Sequence, residues 1–246
     1  MNKEVPSTPY HVADRPKEVL KGSSRLDGRG YEVFRNVFMK PGTLSQAAGS
    51  AYAEFGNTKV MVGVYGPRES ERREAFSTEG RLQCDVKIAS YARRERKGFG
   101  QNDEERELSA QMQTALEAAV RLQTFPKANV DITALVLESG GADLAVCICA
   151  AGMALADAGI EMEDMVSACS VSRVDGHLLL DPTVDEACRE DGSALLAMMP
   201  SANAVAQVVL RGQWSNAQAS EVLQLCMGGC AQIDAYMRQC LRDTVS

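Results

Sequence analysis

The stretch Ala134-Leu135-Val136-Leu137-Glu138-Ser139-Gly140-Gly141-Ala142-Asp143-Leu144-Ala145 decides the fold class. Its first half closes an apolar run from Val130 to Leu137, rich in β-branched residues, which predicts a strand. The paired glycines break the run, and an alanine-rich segment then continues to Ala158, where Gly159 ends it as a helix C-terminus. That helix is apolar nearly all round, so it belongs between two layers and not on a surface. A strand feeding a buried helix through a glycine turn indicates an α/β or α+β domain with sheets covered by helices.

The pattern extends in both directions. Upstream, Tyr31 to Lys40, about Leu44 to Phe55, Lys59 to Tyr65 and Leu82 to Ala92 read as strands, with Gly56-Asn57 as a tight hairpin. Residues 103 to 123 read as an amphipathic helix stopped by Pro126, with Leu108, Met112, Ala115, Leu116, Ala119 and Val120 on one face. Downstream, Met165 to Val174 and His177 to Leu180 form a hairpin about Asp175-Gly176; Ala194 to Met199 and Ala204 to Leu210 are further strands. Ser215 caps a last helix running to about Arg242. Residues 1 to 24, with Pro6, Pro9 and Pro16, are expected to be an extended or mobile lead-in. No linker divides the remainder, so residues 25 to 246 are expected to form one domain.

The totals narrow the function classes. The chain has 246 residues with a net charge of −7, so any contact with nucleic acid must be local and not a basic face. There is no apolar run long enough for a membrane span and no secretory signal, and no membrane partner is expected. Eight cysteines form no CxxC pair, and the histidines are His11 and His177. Cys226 and Cys230, one helical turn apart, are the nearest approach to a metal pair; buried small thiols are the plainer reading, and neither metal nor cofactor is expected. Free thiols in apolar segments suit a reducing compartment, cytosol or nucleus.

Short motifs fall along this frame: Arg25-Leu26-Asp27-Gly28-Arg29, Gly49-Ser50-Ala51-Tyr52, Gly56-Asn57-Thr58-Lys59-Val60, Tyr65-Gly66-Pro67-Arg68, Leu137-Glu138-Ser139-Gly140-Gly141, Ala156-Asp157-Ala158-Gly159-Ile160 and Leu180-Asp181-Pro182. Their order and spacing over about residues 24 to 242 resemble the RNase PH family. The resemblance implies a single RNase PH-like domain of the ribosomal protein S5 domain 2-like fold, with mixed sheets. It also implies a place in the hetero-hexameric ring of the eukaryotic RNA exosome core, whose channel threads single-stranded RNA. Within the family, Ala134 to Gly141 and Leu180-Asp181-Pro182-Thr183 look most like the mRNA transport regulator subtype. Other ring subunits of this fold and S1/KH-type cap subunits are the implied partners. RNA degradation and rRNA processing in nucleus, nucleolus and cytoplasm are the implied setting.

The same resemblance implies that the chain is not itself an enzyme. In active members the Gly-Gly turn is followed by Thr or Ser and then Arg, which hold inorganic phosphate with the helix start. Here Ala142 and Asp143 follow, so the hydroxyl is gone and the cation has become an anion. Two like charges about 4 Å apart at an effective dielectric of about 20 repel by roughly 4 kcal/mol. A second arginine, on the preceding helix of active members, falls on Gln113. Counted back from Met198-Met199-Pro200, the two catalytic aspartates fall on Ala187 and Ser193. Asp185, Glu186, Glu190 and Asp191 lie close by, either as a solvated acidic loop or as substitutes one or two residues out of register. The alternative is therefore an active phosphate-dependent 3′-to-5′ exoribonuclease, and a third reading is a free-standing RNA-binding protein of this fold.

Arg93, Arg94, Arg96 and Lys97 form the most compact basic patch. They are either a solvated loop paired to Asp103, Glu104 and Glu105, or contacts to RNA phosphates. Arg68, Arg72, Arg73 and Arg81 form a looser group diluted by glutamates. Aromatic residues are only 5 % of the chain, and base stacking is not expected at the patch. Apolar residues on both faces of Ala204 to Leu210 call for cover, from the chain's own core or from a partner strand.

Overall fold

The computed structural model describes residues 20–21, 24–69, 79–94 and 102–245. Strands β1 (Leu20–Lys21) and β2 (Ser24–Arg25) pair antiparallel, so the lead-in acquires strand structure by residue 20; its earlier residues lie outside those described. A five-stranded sheet follows, built from β3 (Val37–Pro41), β4 (Gly49–Phe55), β5 (Thr58–Glu69), β6 (Arg81–Ile88) and β7 (Ala128–Glu138) in the order β3-β4-β5-β7-β6. All its pairings are antiparallel except β6 with β7, which are parallel and joined through helix α1 (Asp103–Glu117). Helix α2 (Asp143–Asp157) leads to a second, antiparallel sheet. That sheet comprises β8 (Ser167–Val174), β9 (His177–Leu180), β10 (Gly192–Met199) and β11 (Ala204–Gly212), in the order β11-β10-β8-β9, with helix α3 (Val184–Ala187) between β9 and β10. Helix α4 (Asn216–Val245) ends the chain. No helix among the described residues is long and apolar enough to cross a membrane.

Helix α2 lies between the sheets, as its all-round apolarity requires: every residue from Leu144 to Leu155 is buried. It touches β4 and β5 on one side and β8 on the other. Two glycines set the close approach. A side chain at Gly49 would meet the Ala154 carbonyl oxygen at 2.4 Å, and one at Gly152 would meet the Val166 carbonyl oxygen at 2.8 Å. The main core accordingly runs from Met39 to Met237 and draws on both sheets, while a smaller cluster of Val171, Leu196, Val222 and Cys226 fills the space under α4.

Several elements are shorter than periodicity alone suggests, for local reasons. Tyr31 to Asn36 do not join β3: the Tyr31 carbonyl accepts from the Leu180 amide, and the Arg35 amide donates to Asp181. Residues ahead of Gly49 fold around Ser50, whose Oγ accepts from the Leu44 amide. Helix α1 stops at Glu117 because the next segment bridges Val120 to Met162. Strand β6 stops at Ile88, after which a turn brings the Ala92 carbonyl to the Ser139 amide. The segment expected to be a solvated acidic loop contains α3 instead. Thr183 and Glu186 cap it reciprocally, and Glu186 is buried against Arg25 at 3.7 Å.

Cys226 and Cys230 are buried, and the Cys230 thiol donates to the Leu196 carbonyl. Burial raises the pKa of Cys84, Cys147 and Cys230 well above the ordinary range and pushes Cys149 up to about 12. An unfolded chain surrenders thiol protons above about pH 8.5, whereas these native thiols keep theirs. Their contribution to stability is therefore complete below that pH and declines above it, by about 1.4 kcal/mol per thiol per pH unit until the native thiols titrate in turn. Urea unfolding compared at neutral pH and in the alkaline range should show this decline, and replacing Cys149 with Ala should make it shallower.

Candidate functional site

Where β7 ends and α2 begins, Gly140 and Gly141 form a turn pinned from three directions. Arg35 donates to the carbonyls of Gly140 and Gly141, each at 3.0 Å, and holds the Asp181 carboxylate in a two-pronged pair at 2.8 and 2.6 Å. Thr58 Oγ1 donates to the Gly141 carbonyl at 2.7 Å and accepts from the Gly140 amide at 3.2 Å. The Val184 amide donates to the Gly140 carbonyl at 3.0 Å. A Cβ on Gly140 would lie 2.8 Å from the Asn57 backbone, and one on Gly141 would lie 2.4 Å from the Pro182 carbonyl oxygen. Packing thus requires both glycines whatever else the turn does.

The turn opens into a cleft of about 1640 Å³, walled by the ends of β6 and β7, the starts of α1 and α2, α3 and strand β10. Ala142, Asp143, Ala187 and Ser193, which the sequence places in one site, all line it. Gln113 does not. It faces solvent and donates to Glu117 at 2.7 Å, while the face of α1 turned to the cleft carries Glu104, Leu108 and Gln111. The helical period separates these positions from residue 113, so Gln113, expected to replace a cleft arginine, lies off the cleft wall.

Ala142 takes a left-handed conformation with φ of 56° and supplies no side-chain cap to α2. Asp143 fills that role electrostatically, as a carboxylate in the first turn of the helix. Its Oδ2 accepts from Ser139 Oγ at 2.5 Å and stands 3.5 Å from Arg93, whose other terminal nitrogen donates to Glu104 at 2.7 Å. Arg94 pairs with Asp185 at 3.6 Å. Arg93 thus makes the expected pair with Glu104 and adds Asp143, while Arg94 stays exposed beside Asp185. Arg96 and Lys97, together with Arg72 and Arg73, lie outside the described residues. Of the nearby acids, Glu190 lines the cleft and accepts from Ser172, Glu186 is held by Arg25 and Thr183, and Asp191 is exposed outside the lining. Among the described residues, no three His, Cys, Asp or Glu side chains group as a metal site would need.

Two family models match the chain: "3' exoribonuclease family, domain 1" over residues 33–161 and "domain 2" over residues 164–228. The chain belongs to the 3′ exoribonuclease, or RNase PH, family. The Arabidopsis thaliana protein "Exosome complex component RRP41-like" is 44 % identical over 223 residues, covering 91 % of this chain and 86 % of that one. The human "Exosome complex component MTR3" is 40 % identical over 223 residues, covering 84 % and 82 %. A solved structure of rice Rrp46 shares the fold with a TM-score of 0.78 at 22 % identity, covering 87 % of this chain and 98 % of that one. The mixed sheets with covering helices expected from the sequence are thus those of the RNase PH family.

Two residues of this family member escape a reading of the sequence. Tyr91 stands 65 % exposed on the cleft wall, two positions before Arg93. It had no local signal, because nothing in its neighbourhood shows that β6 ends in a turn over the cleft. Arg35 is buried in a segment that reads as strand, and only its contacts reveal it as the post that holds the glycine turn. Two substitutions test this construction. Asp181→Ala strands a buried guanidinium and should cost about 3–5 kcal/mol in urea unfolding. Ala142→Gly relieves a left-handed alanine and should stabilise by about 0.5–1 kcal/mol in the same measurement.

Proposed function

We propose that the chain is a non-catalytic structural subunit of an exosome core ring, which supports 3′-to-5′ RNA processing and degradation by holding the ring together and helping to thread RNA. The observation that carries this reading is Asp143. Its carboxylate occupies the start of α2 beside the Gly-Gly turn, held by Ser139 and Arg93, so an incoming phosphate would meet an anion already in place. The positions where catalytic aspartates are expected hold Ala187 and Ser193. The Arabidopsis and human relatives, both named as exosome complex components, support the assembly. The mRNA transport regulator subtype is favoured by the phrase Ala134 to Gly141 and by 40 % identity to human MTR3, against 44 % to the RRP41-like protein. Other ring subunits, S1/KH-type caps and RNA in the channel are the proposed partners, and nucleus, nucleolus and cytoplasm the proposed setting.

Strand β11 supports the architectural role. It is an edge of the four-stranded sheet and exposes Val205, Val208 and Leu210. An exposed apolar edge of this kind favours pairing with another chain. The enzyme reading retains one observation in its favour, since Asp185 and Glu190 place carboxylates in the cleft.

The purified chain, incubated with single-stranded RNA and inorganic phosphate, should release no nucleoside diphosphates. Their release at a rate abolished by Asp185→Ala or Glu190→Ala would establish a phosphorolytic exoribonuclease instead. Co-expression with other ring subunits should yield a complex whose partners mass analysis identifies. Val208→Lys should abolish that co-purification while leaving the thermal melting of the isolated chain within a few degrees, as expected for an exposed position away from the core.

A further inference from the structure

Among the described residues, every arginine that lines the cleft already has a carboxylate of the same chain. Arg29 pairs with Asp27 at 2.5 Å, Arg35 with Asp181 at 2.6 Å, Arg93 with Glu104 at 2.7 Å and with Asp143 at 3.5 Å, Arg94 with Asp185 at 3.6 Å, and Arg211 with Glu107. These pairs differ in kind. Arg35 is buried and ties the fold together, whereas Arg93 and Arg94 keep 25 % and 53 % of their side-chain surface in contact with solvent. Their partners come from three separate elements: Glu104 from the start of α1, Asp143 from the start of α2 and Asp185 from α3. The two arginines follow the turn after β6 and are paired to those three elements.

We propose that Arg93 and Arg94 form a latent site for the phosphodiester backbone of single-stranded RNA, kept unavailable by Glu104, Asp143 and Asp185 acting as internal counter-ions. An RNA phosphate must compete with a carboxylate at each guanidinium, and that carboxylate repels the phosphate at close range. Such exposed pairs are individually weak, so the lock is a matter of their number and of the shared Arg93. Tyr91, exposed beside them on the same wall, offers a ring face to a base whose phosphate reaches the arginines. The proposal takes the cleft as non-catalytic, as above, but concerns binding and not turnover.

Amide substitutions keep side-chain size and remove charge. The triple variant Glu104→Gln/Asp143→Asn/Asp185→Asn of the full chain should bind a fluorescent oligouridine about tenfold or more tighter than the unsubstituted chain at low salt. The plot of log affinity against log salt should steepen by about 1.4, the increment for two added phosphate contacts on a single strand. Adding Arg93→Ala and Arg94→Ala to the triple variant should return both quantities to their starting values. Circular dichroism checks folding; if the Asp143 change unfolds the chain, Glu104→Gln/Asp185→Asn alone should still tighten binding severalfold. The proposal fails if the amide variants bind no tighter, or if the gain survives loss of both arginines. Nucleoside diphosphates appearing in the same tubes on addition of phosphate would instead overturn the silent-subunit reading, whatever the affinities.

Discussion

One buried ion pair organises the rest of the molecule. Arg35, in the irregular segment before β3, grips Asp181, at the end of β9, and uses its remaining nitrogens on Thr58 and on the carbonyls of Gly140 and Gly141. A guanidinium suits the task because its planar donors reach a carboxylate and backbone carbonyls at once. Through it the first sheet, the second sheet and the start of α2 meet at a fixed point. Arg25 reinforces the junction, donating to the carbonyls of Tyr31 and Leu180 and lying against Glu186. Its pKa is lowered, chiefly by desolvation, which the facing carboxylates partly offset. Arg35 and the glycine turn it holds both line the cleft, so the junction is part of its wall.

The positions of the regular elements were largely legible from residue order. The hairpin turns Gly56-Asn57 and Asp175-Gly176 and the strand His177–Leu180 could be read from turn chemistry, because glycine and aspartate there adopt positive φ. The burial of α2 could be read from the lack of a polar face. What could not be read were events that depend on distant partners. Residues 31–36 look like strand but spend their backbone groups on Leu180 and Asp181. Helix α3 is too short to show a period, although its Thr183-to-Glu186 cap was present in the sequence as a signal of a helix start.

Legibility of the cleft followed the same division. Ala142 and Asp143 could be placed because a glycine pair fixes the count to either side, and Ala187 and Ser193 because the Met198-Met199-Pro200 run does. Gln113 had no such anchor along a regular helix, where each residue turns the side chain by about 100° and the cleft-facing positions cannot be told from a count alone. The pairing of Arg93 with Asp143 joins residues fifty positions apart and is invisible without coordinates. A basic cluster in a sequence therefore reports where cations begin, not whether they arrive unaccompanied.

The tight seat of Gly140 and Gly141 bears on how such chains are to be sorted. Asn57 on one side and Pro182 on the other leave no room for a methyl group, so the glycine pair would persist in any descendant of this scaffold that still folds. A pattern search keyed to those glycines would gather working nucleases and idle relatives alike. Position 142, with its left-handed backbone, is constrained as well, whereas the side chain at 143 enters the cleft and is free to differ in charge.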